Sequence, residues 1–313
     1  MKNTISRNAL QETITRIEGA YAPATIRAYR KNFERFIEFC ESKGTSALPA
    51  NQTEVSNFIR HLCDSELKSA SIRIAVASIS TIHRLNQKQD PTTHPDVKIE
   101  LRRMHRNLGR ESKQAAGIDA ELLNRMIKST DNSLRGIRNR ALLLTAYDSM
   151  CRRSELLSIK LSDVFIDLEN RSVKIKLRRS KTDQDGLGKW LYLSGISQAA
   201  LIDWIKVSGI EDGMLFRGVA RDEKITEGLS ASQINRIYKL IAKKSKVDEL
   251  VIRHISGHSM RVGAAQDLLR SGASLPMMMQ RGRWSKADTV IRYLENTTGI
   301  NGNYKIQLEW TAL

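Results

Sequence analysis

The sequence has few cysteines, and their number and spacing argue against folds stabilised by disulfides or by a zinc ion. Only three occur among 313 residues: Cys40, Cys63 and Cys151. An odd, sparse set argues against a disulfide framework and is typical of a reducing cytoplasm. No Cys-x-x-Cys pair is present, which argues against a zinc knuckle. We therefore expect neither disulfides nor a structural zinc ion.

Long apolar segments and the common metal and nucleotide motifs are also missing. The first ten residues, MKNTISRNAL, lack the apolar core of a signal peptide. No apolar run approaches the roughly 20 residues that span a bilayer. Walker, EF-hand and His-Glu-x-x-His motifs are absent, and no tight Asp/Glu cluster indicates a two-metal site. The sequence predicts a cytoplasmic protein without membrane segments, metal or cofactor.

Acidic residues are outnumbered along the whole chain. Lys and Arg total 51 against 34 Asp and Glu, which gives a net charge of +17. The excess occurs both before and after Arg110, so it is not confined to a tail. Such a distribution suits a protein that contacts a polyanion along much of its surface. Nucleic acid is favoured over a membrane as the partner, because no predicted helix has a concentrated basic face opposite a bulky apolar face. A merely soluble basic protein is the alternative.

The first hundred residues show helical periodicity. Apolar residues recur at helical spacing in four segments. These begin near Thr25, Thr53, Ser69 and Asp96. The chain is long enough for two domains with separate cores. We assign residues 1–108 to an N-terminal helical bundle, residues 109–118 to a linker without apolar periodicity, and residues 119–313 to a second domain.

The second domain combines helices with a short β segment. Val173, Ile175 and Leu177 alternate with basic residues, as in a strand with one buried face. A partner strand around Trp190, Tyr192 and Leu193 follows a long polar hairpin loop, RRSKTDQDGLG. Further helices are predicted from Asp119, Leu134, Ser197 and Ser230, and three short ones between His258 and Asn296. The predicted fold class is mainly α with a small antiparallel β-sheet (α+β).

Two arginines have neighbours suited to phosphate chemistry. Without a metal motif, positive charge for a phosphodiester transfer must come from arginine, whose planar fork matches phosphate oxygens. Arg152 lies in SMCRRSELL, with Glu155 one helical turn further on. Arg261 lies in SGHSMRVGAA, with His258 one turn earlier and small residues around it that allow close packing. Each pair alone is more typical of a solvated helix face than of a site.

Five separated segments together resemble the tyrosine recombinase (phage integrase) family. In chain order they are RRSEL, SKT in the hairpin loop, GHSMR, Trp284, and Tyr293 within IRYL. The resemblance extends from YAPATIRAYR to Tyr293 and is strongest in RNRALLLTAYDSMCRRSE and SGHSMRVGAAQDLLRSGASLPMMMQRGRW. Met150 and Val262 stand where many members have glycine and histidine. Neither departure removes a catalytic group.

The resemblance implies roles for the two arginine pairs. Arg152 and Arg261 would grip the scissile phosphate. Glu155 would orient the site through hydrogen bonds, and His258 would assist proton transfer or hold the phosphate.

Three more roles follow from the same resemblance. Lys181 would protonate the leaving 5′ oxygen, Trp284 would donate its indole N–H to a phosphate oxygen, and Tyr293 would attack to form a 3′-phosphotyrosyl link. Other basic residues lie close to Lys181, and an indole such as that of Trp284 is often plain core. Tyr29, Tyr147 and Tyr192 lie within apolar patterns and are predicted to be core.

A member of this family would be a site-specific recombinase that closes on double-stranded DNA as a C-shaped clamp of two domains. The resemblance implies a homotetramer on two inverted-repeat sites, associated with the nucleoid. No ATP is needed, because one ester is exchanged for another. The alternatives are a type IB topoisomerase or hairpin-telomere resolvase, and a DNA-binding protein that has lost catalysis. The target site and the biological outcome (integration, inversion or dimer resolution) stay open.

Two further segments are predicted to bind partners. Arg102, Arg103 and Arg106 lie on the outer face of the fourth predicted helix and are expected to contact DNA phosphates. Near the C-terminus, Tyr304, Ile306, Leu308 and Trp310 alternate with polar residues, which predicts a strand. A single apolar strand needs a sheet edge or groove, on its own subunit or on a neighbouring one.

Overall fold

The structure, a computed structural model, describes residues 2–109, 114–167, 172–178 and 188–294. The chain divides into two units, Met1–Lys113 and Gln114–Leu313. Residues 114–118, which the sequence assigned to the linker, belong to the second unit. The N–H groups of Ala116 and Ile118 donate to the carbonyls of His254 and Ser259, and the Ile118 side chain is fully buried.

Five α-helices and one short 3-10 helix, Pro91–Thr93, make up the described part of the first unit. The α-helices are α1 (Lys2–Ile17), α2 (Pro23–Ser42), α3 (Gln52–Asp64), α4 (Ser69–Leu85) and α5 (Pro95–Leu108). The last four were predicted, and α1 was not. Its buried face includes Asn3, Ser6 and Thr13 beside its apolar residues, so the hydrophobic period is weak.

Local signals fix the starts of several of these helices. Pro23 occupies the first turn of α2, where its missing N–H costs nothing. Asn51 and Glu54 form a reciprocal capping box at the start of α3. The core between α2 and α3 is aromatic, with the rings of Phe36 and Phe58 centred 5.0 Å apart.

The outer face of α5 is basic, as its pattern predicts. Arg102, Arg103 and Arg106 are exposed, while Val97 and Met104 are buried. Leu108 continues the apolar spacing of Val97 and Met104, yet it is 41% exposed because it lies at the last position of α5.

The second unit is mainly helical around one small sheet. Its described elements are α6 (Ala120–Lys128), α7 (Leu134–Ser149), α8 (Arg153–Ser158), β1 (Val164–Asp167), β2 (Ser172–Leu177), β3 (Lys189–Tyr192), α9 (Gly195–Ser208), α10 (Ala231–Lys244), α11 (Glu249–His254), α12 (Ser259–Arg270), α13 (Leu275–Gly282) and α14 (Ala287–Leu294). The predicted fold class is confirmed, including the three short helices at the end of the described chain. No helix in the described ranges is long and apolar enough to cross a membrane.

The sheet has the order β1-β2-β3, with both pairs antiparallel. Ile175 of β2 pairs with Val164 of β1 and Leu191 of β3, and the predicted alternation of buried and exposed residues in β2 is present. β1 was not predicted, because it is only four residues long and both its central side chains are exposed. The prediction that Tyr192 is core was wrong: it points to the open face of the sheet and is 55% exposed.

Close packing brings α12 against the start of the second unit. A Cβ atom on Gly263 would collide with the backbone of Ile118, so only glycine permits this approach. The small residues after Arg261 therefore allow close packing, as predicted. The N-terminal end of α12 lies beside the turn between α7 and α8.

Candidate active site

The turn between α7 and α8 holds the first arginine. Met150 ends α7 in the left-handed region, with φ 48°. Arg152 then occupies the N-cap position of α8, and its backbone N–H donates to Glu155 Oε2 at 2.9 Å. The Arg152 guanidinium donates to Glu155 Oε1 at 2.7 Å. A single carboxylate thus fixes both the backbone and the side chain of Arg152.

The carboxylate of Glu155 is buried and ionised. Only 4% of it is exposed, and burial by itself would raise the pKa of this group. The two hydrogen bonds from Arg152 and the charges of Arg283 and Arg152 outweigh burial and lower the pKa of Glu155 below its ordinary value. The site therefore contains a fixed negative charge among several arginines.

Arg261 lies on the first turn of α12, packed against Trp284. The residue is 1% exposed. Its Nη1 donates to the Met150 carbonyl at 2.5 Å, its Nη2 donates to the Gly282 carbonyl, and its guanidinium lies 4.5 Å from the centre of the Trp284 ring. Burial, then the charges of Arg152 and Arg283, lower the pKa of Arg261 to about 10. The guanidinium stays charged at neutral pH.

Tyr293 and His258 meet at the same place. His258 occupies the N-cap position of α12 and Tyr293 lies on α14. The imidazole Nε2 and the phenol oxygen share a hydrogen bond. The Tyr293 ring centre is 5.1 Å from that of Trp284. Burial, followed by the charges of Arg261 and Arg152, lowers the pKa of His258 to about 4. The imidazole is therefore neutral at pH 7 and can accept the phenol proton at Nε2 when Nδ1 carries its own.

One residue of this cluster was missed by sequence reasoning. Arg283, with a 5% exposed side chain, donates to the carbonyls of Ser149 at 2.8 Å and Met150 at 3.2 Å. It also donates to Glu155 Oε2 at 3.1 Å. The available signal was its position in RGRW, directly before Trp284.

Three buried donors of the cluster have no hydrogen-bond partner among the described residues. They are the Nε atoms of Arg261 and Arg283 and the indole Nε1 of Trp284. Buried N–H groups are nearly always satisfied, and these three lie where cationic side chains exceed carboxylates. Anionic oxygens are the acceptors that such a set favours.

The structure brings together six of the seven residues proposed for catalysis. Contacts among their side chains, completed by Arg283 and the Met150 carbonyl, link them into one cluster: Arg152, Glu155, His258, Arg261, Trp284 and Tyr293. Lys181 lies outside the described residues. Within the described ranges, no three His, Cys, Asp or Glu side chains are grouped so as to hold a metal ion.

Comparison with protein families matches both parts of the chain. Residues 117–299 match the phage integrase family. Residues 13–89 match the N-terminal SAM-like domain of phage integrases. The first match alone spans more than half of the chain and contains every residue of the cluster.

Individual proteins show the same likeness over most of their length. The chain is 28% identical to Recombinase cre of Escherichia phage P1 over an alignment of 283 positions, which covers 84% of this chain and 81% of that protein. It is 26% identical to the Integrase/recombinase xerD homolog of Selenomonas ruminantium, covering 90% of this chain and 84% of the relative. A lambda integrase dimer bound to a COC′ core site shares the fold, with a TM-score of 0.62, 14% identity and coverage of 95% and 97% of the two chains.

Proposed function

This chain belongs to the phage integrase family and is a tyrosine site-specific recombinase, which breaks and rejoins DNA strands, and we propose that Tyr293 is its nucleophile. The observation that carries the proposal is the hydrogen bond between the Tyr293 phenol and His258 Nε2, beside the buried guanidinium of Arg261. A phenol ordinarily has a pKa of about 10, so attack at neutral pH needs a proton acceptor and nearby positive charge. His258 and the arginines supply both.

In the proposed reaction the phenolic oxygen of Tyr293 forms a bond to the scissile phosphorus. The bond from phosphorus to the 5′ oxygen breaks, and Lys181 gives that oxygen a proton. The strand keeps its phosphate as a 3′-phosphotyrosyl ester. Attack by a 5′ hydroxyl reverses the steps and rejoins DNA. One ester replaces another, so no ATP is consumed.

The arginines take the place that a metal ion has in other phosphoryl transfers. Arg152 and Arg261 would bind the non-bridging oxygens in pairs, and Glu155 would hold Arg152 in place. Trp284 Nε1, which has no hydrogen-bond partner among the described residues, would donate to one of these phosphate oxygens. We therefore propose cleavage without a divalent cation.

The proposed substrate is double-stranded DNA carrying inverted-repeat recombination sites, bound by four copies of the chain. A lambda integrase dimer on its core site has the same fold, which supports DNA as the partner. Arg102, Arg103 and Arg106 on the exposed face of α5 would contribute phosphate contacts in the first unit. The location we propose is the cytoplasm, in association with the nucleoid.

The predicted strand in residues 302–313 lies outside the described residues. It stays a prediction, and we propose that it docks on a sheet edge or groove of its own or a neighbouring subunit.

A nicked DNA substrate tests the chemistry. The duplex is chosen from inverted repeats that flank the coding sequence, and a nick near the scissile phosphate lets the released fragment diffuse away. Wild-type protein should form a covalent adduct on a denaturing gel, equally in EDTA and in Mg²⁺. Arg152→Ala or Arg261→Ala should suppress the adduct roughly a hundredfold or more, since such charge stabilisation contributes about 3 kcal/mol. An absolute need for a divalent metal would contradict the mechanism.

A further inference from the structure

Arg283 adopts a backbone conformation that ordinarily favours glycine. It ends α13 with φ 54° and ψ 47°, in the left-handed region. Glycine enters this region without a steric penalty, whereas a residue with a Cβ does not. Met150 and other non-glycine residues adopt this conformation as well, and what distinguishes Arg283 is the set of contacts that its buried side chain makes.

The guanidinium of Arg283 is directed at one short segment of the chain. It donates to the carbonyls of Ser149 and Met150 and to the carboxylate of Glu155, and its contact with the Cys151 sulfur is longer, at 3.7 Å. All four acceptors lie between the last residue of α7 and the first turn of α8, and the turn that joins these helices also carries Arg152. The planar fork of an arginine can bind several acceptors at once in a fixed geometry.

The same turn is bound from a second side. The Met150 carbonyl accepts from Arg261 Nη1 as well as from Arg283 Nη2, and Glu155 accepts from Arg152 as well as from Arg283. A shift of the turn would therefore move Arg152 relative to Arg261, and with it the two groups proposed to hold one phosphate.

We infer that Arg283 is a positioning residue that sets the distance between Arg152 and Arg261 by clamping the turn and its carboxylate. The inference rests on the proposed function of that pair. Misplacement of a phosphate-binding group by about 1 Å can slow a reaction roughly a hundredfold. Arg283 should therefore govern the rate of cleavage much more than the affinity for DNA.

Two substitutions show whether the rate depends on the contacts of Arg283, on its positive charge, or on the stability of the fold. Arg283→Gly removes the clamp but suits the left-handed backbone, and Arg283→Lys keeps the charge but lacks the planar fork. Arg281→Ala, at an exposed arginine two residues earlier, is the matched control. For each we would measure the affinity for the site, the thermal unfolding midpoint, and the rate of adduct formation on nicked DNA at saturating protein.

We expect Arg283→Gly to lower the saturated rate roughly tenfold to a hundredfold, with an affinity within about threefold of wild type. Arg283→Lys should recover only part of the rate, and Arg281→Ala should keep all of it. Glu155→Gln combined with Arg283→Gly should lose less than the product of the two single losses, because both act on Arg152.

Three results would overturn the inference. Arg283→Gly could leave the saturated rate unchanged, whether or not the unfolding midpoint falls. Arg283→Lys could keep the full rate, or the two single losses could multiply in the double variant. Wild-type protein in the same assay keeps the two proposals apart. If it forms no adduct, the proposed function fails, whereas a wild-type adduct matched by Arg283→Gly removes only the role of Arg283.

Discussion

The partly buried imidazole of His258 should make the stability of the second unit depend on pH in one direction. In the folded chain the pKa of His258 is about 4, against an ordinary value of 6.5. Burial is the main cause, followed by the charges of Arg261, Arg152 and Arg153, with Glu155 opposing them. The unfolded chain therefore binds a proton at a pH where the folded chain does not. The contribution of neutral His258 to the free energy of unfolding is fully present above pH 6.5. It is lost as the pH falls from 6.5 towards 4.

The magnitude follows from the two pKa values. At pH 5 the unfolded imidazole is almost fully protonated and the folded one almost wholly neutral, which amounts to about 2 kcal/mol of lost stability. At pH 4 the loss would reach about 3 kcal/mol. A single residue thus accounts for a sizeable fraction of the 5–15 kcal/mol that is typical of a domain.

Urea unfolding followed by tryptophan fluorescence measures this directly. All four tryptophans, at positions 190, 204, 284 and 310, lie in the second unit, so the signal reports on that unit. The difference in unfolding free energy between wild type and His258→Gln removes the effect of other titrating groups. This difference should change by about 2 kcal/mol between pH 7.5 and pH 5, because wild type loses stability relative to the variant as the pH falls. A difference that is constant with pH, or that changes in the opposite direction, would refute the reasoning.

Three other substitutions or deletions have expected outcomes. Gly263→Ala would push a methyl group into the neighbouring backbone and should lower the unfolding free energy by about 1–3 kcal/mol, whereas Gly195→Ala, which meets no atom within 4 Å, should have little effect in the same urea titration. Arg102→Ala combined with Arg106→Ala should flatten the log–log salt dependence of DNA binding by about two units. An unchanged slope and affinity would show that this helix does not contact DNA. Deletion of residues 302–313 should leave binding to a single site intact but impair synapsis and recombination, and equal recombination by the truncated protein would contradict a partner-binding tail.

Strong periodic patterns were predictable from the sequence, and elements with mixed faces were not. Helices α2 to α5 and strand β2 each bury a regular set of apolar residues, so their patterns predicted them. Helix α1 buries polar residues such as Ser6 and Thr13 beside its apolar ones. The signal of β1 was equally weak, because Phe165 and Ile166 are both exposed.

The candidate site was predictable where neighbours in sequence are also neighbours in space. The pairing of Arg152 with Glu155 follows from a spacing of three residues. The contacts of Arg283 do not, since they join positions 128 to 134 residues apart. Only the fold reveals that a buried arginine before Trp284 reaches the turn after α7. The role of Lys181 stays a prediction, because it lies outside the described residues.

The central claim is that the phenolic oxygen of Tyr293 becomes bonded to DNA. Peptide mapping of the adduct from nicked DNA, formed in EDTA, identifies the bonded residue directly. We expect the phosphotyrosyl link at Tyr293. Tyr293→Phe, which keeps the ring and loses one oxygen, should bind the site and form no adduct, whereas Tyr192→Phe on β3 should form it normally. An adduct mapped to any other residue, or undiminished cleavage by Tyr293→Phe, would contradict the mechanism.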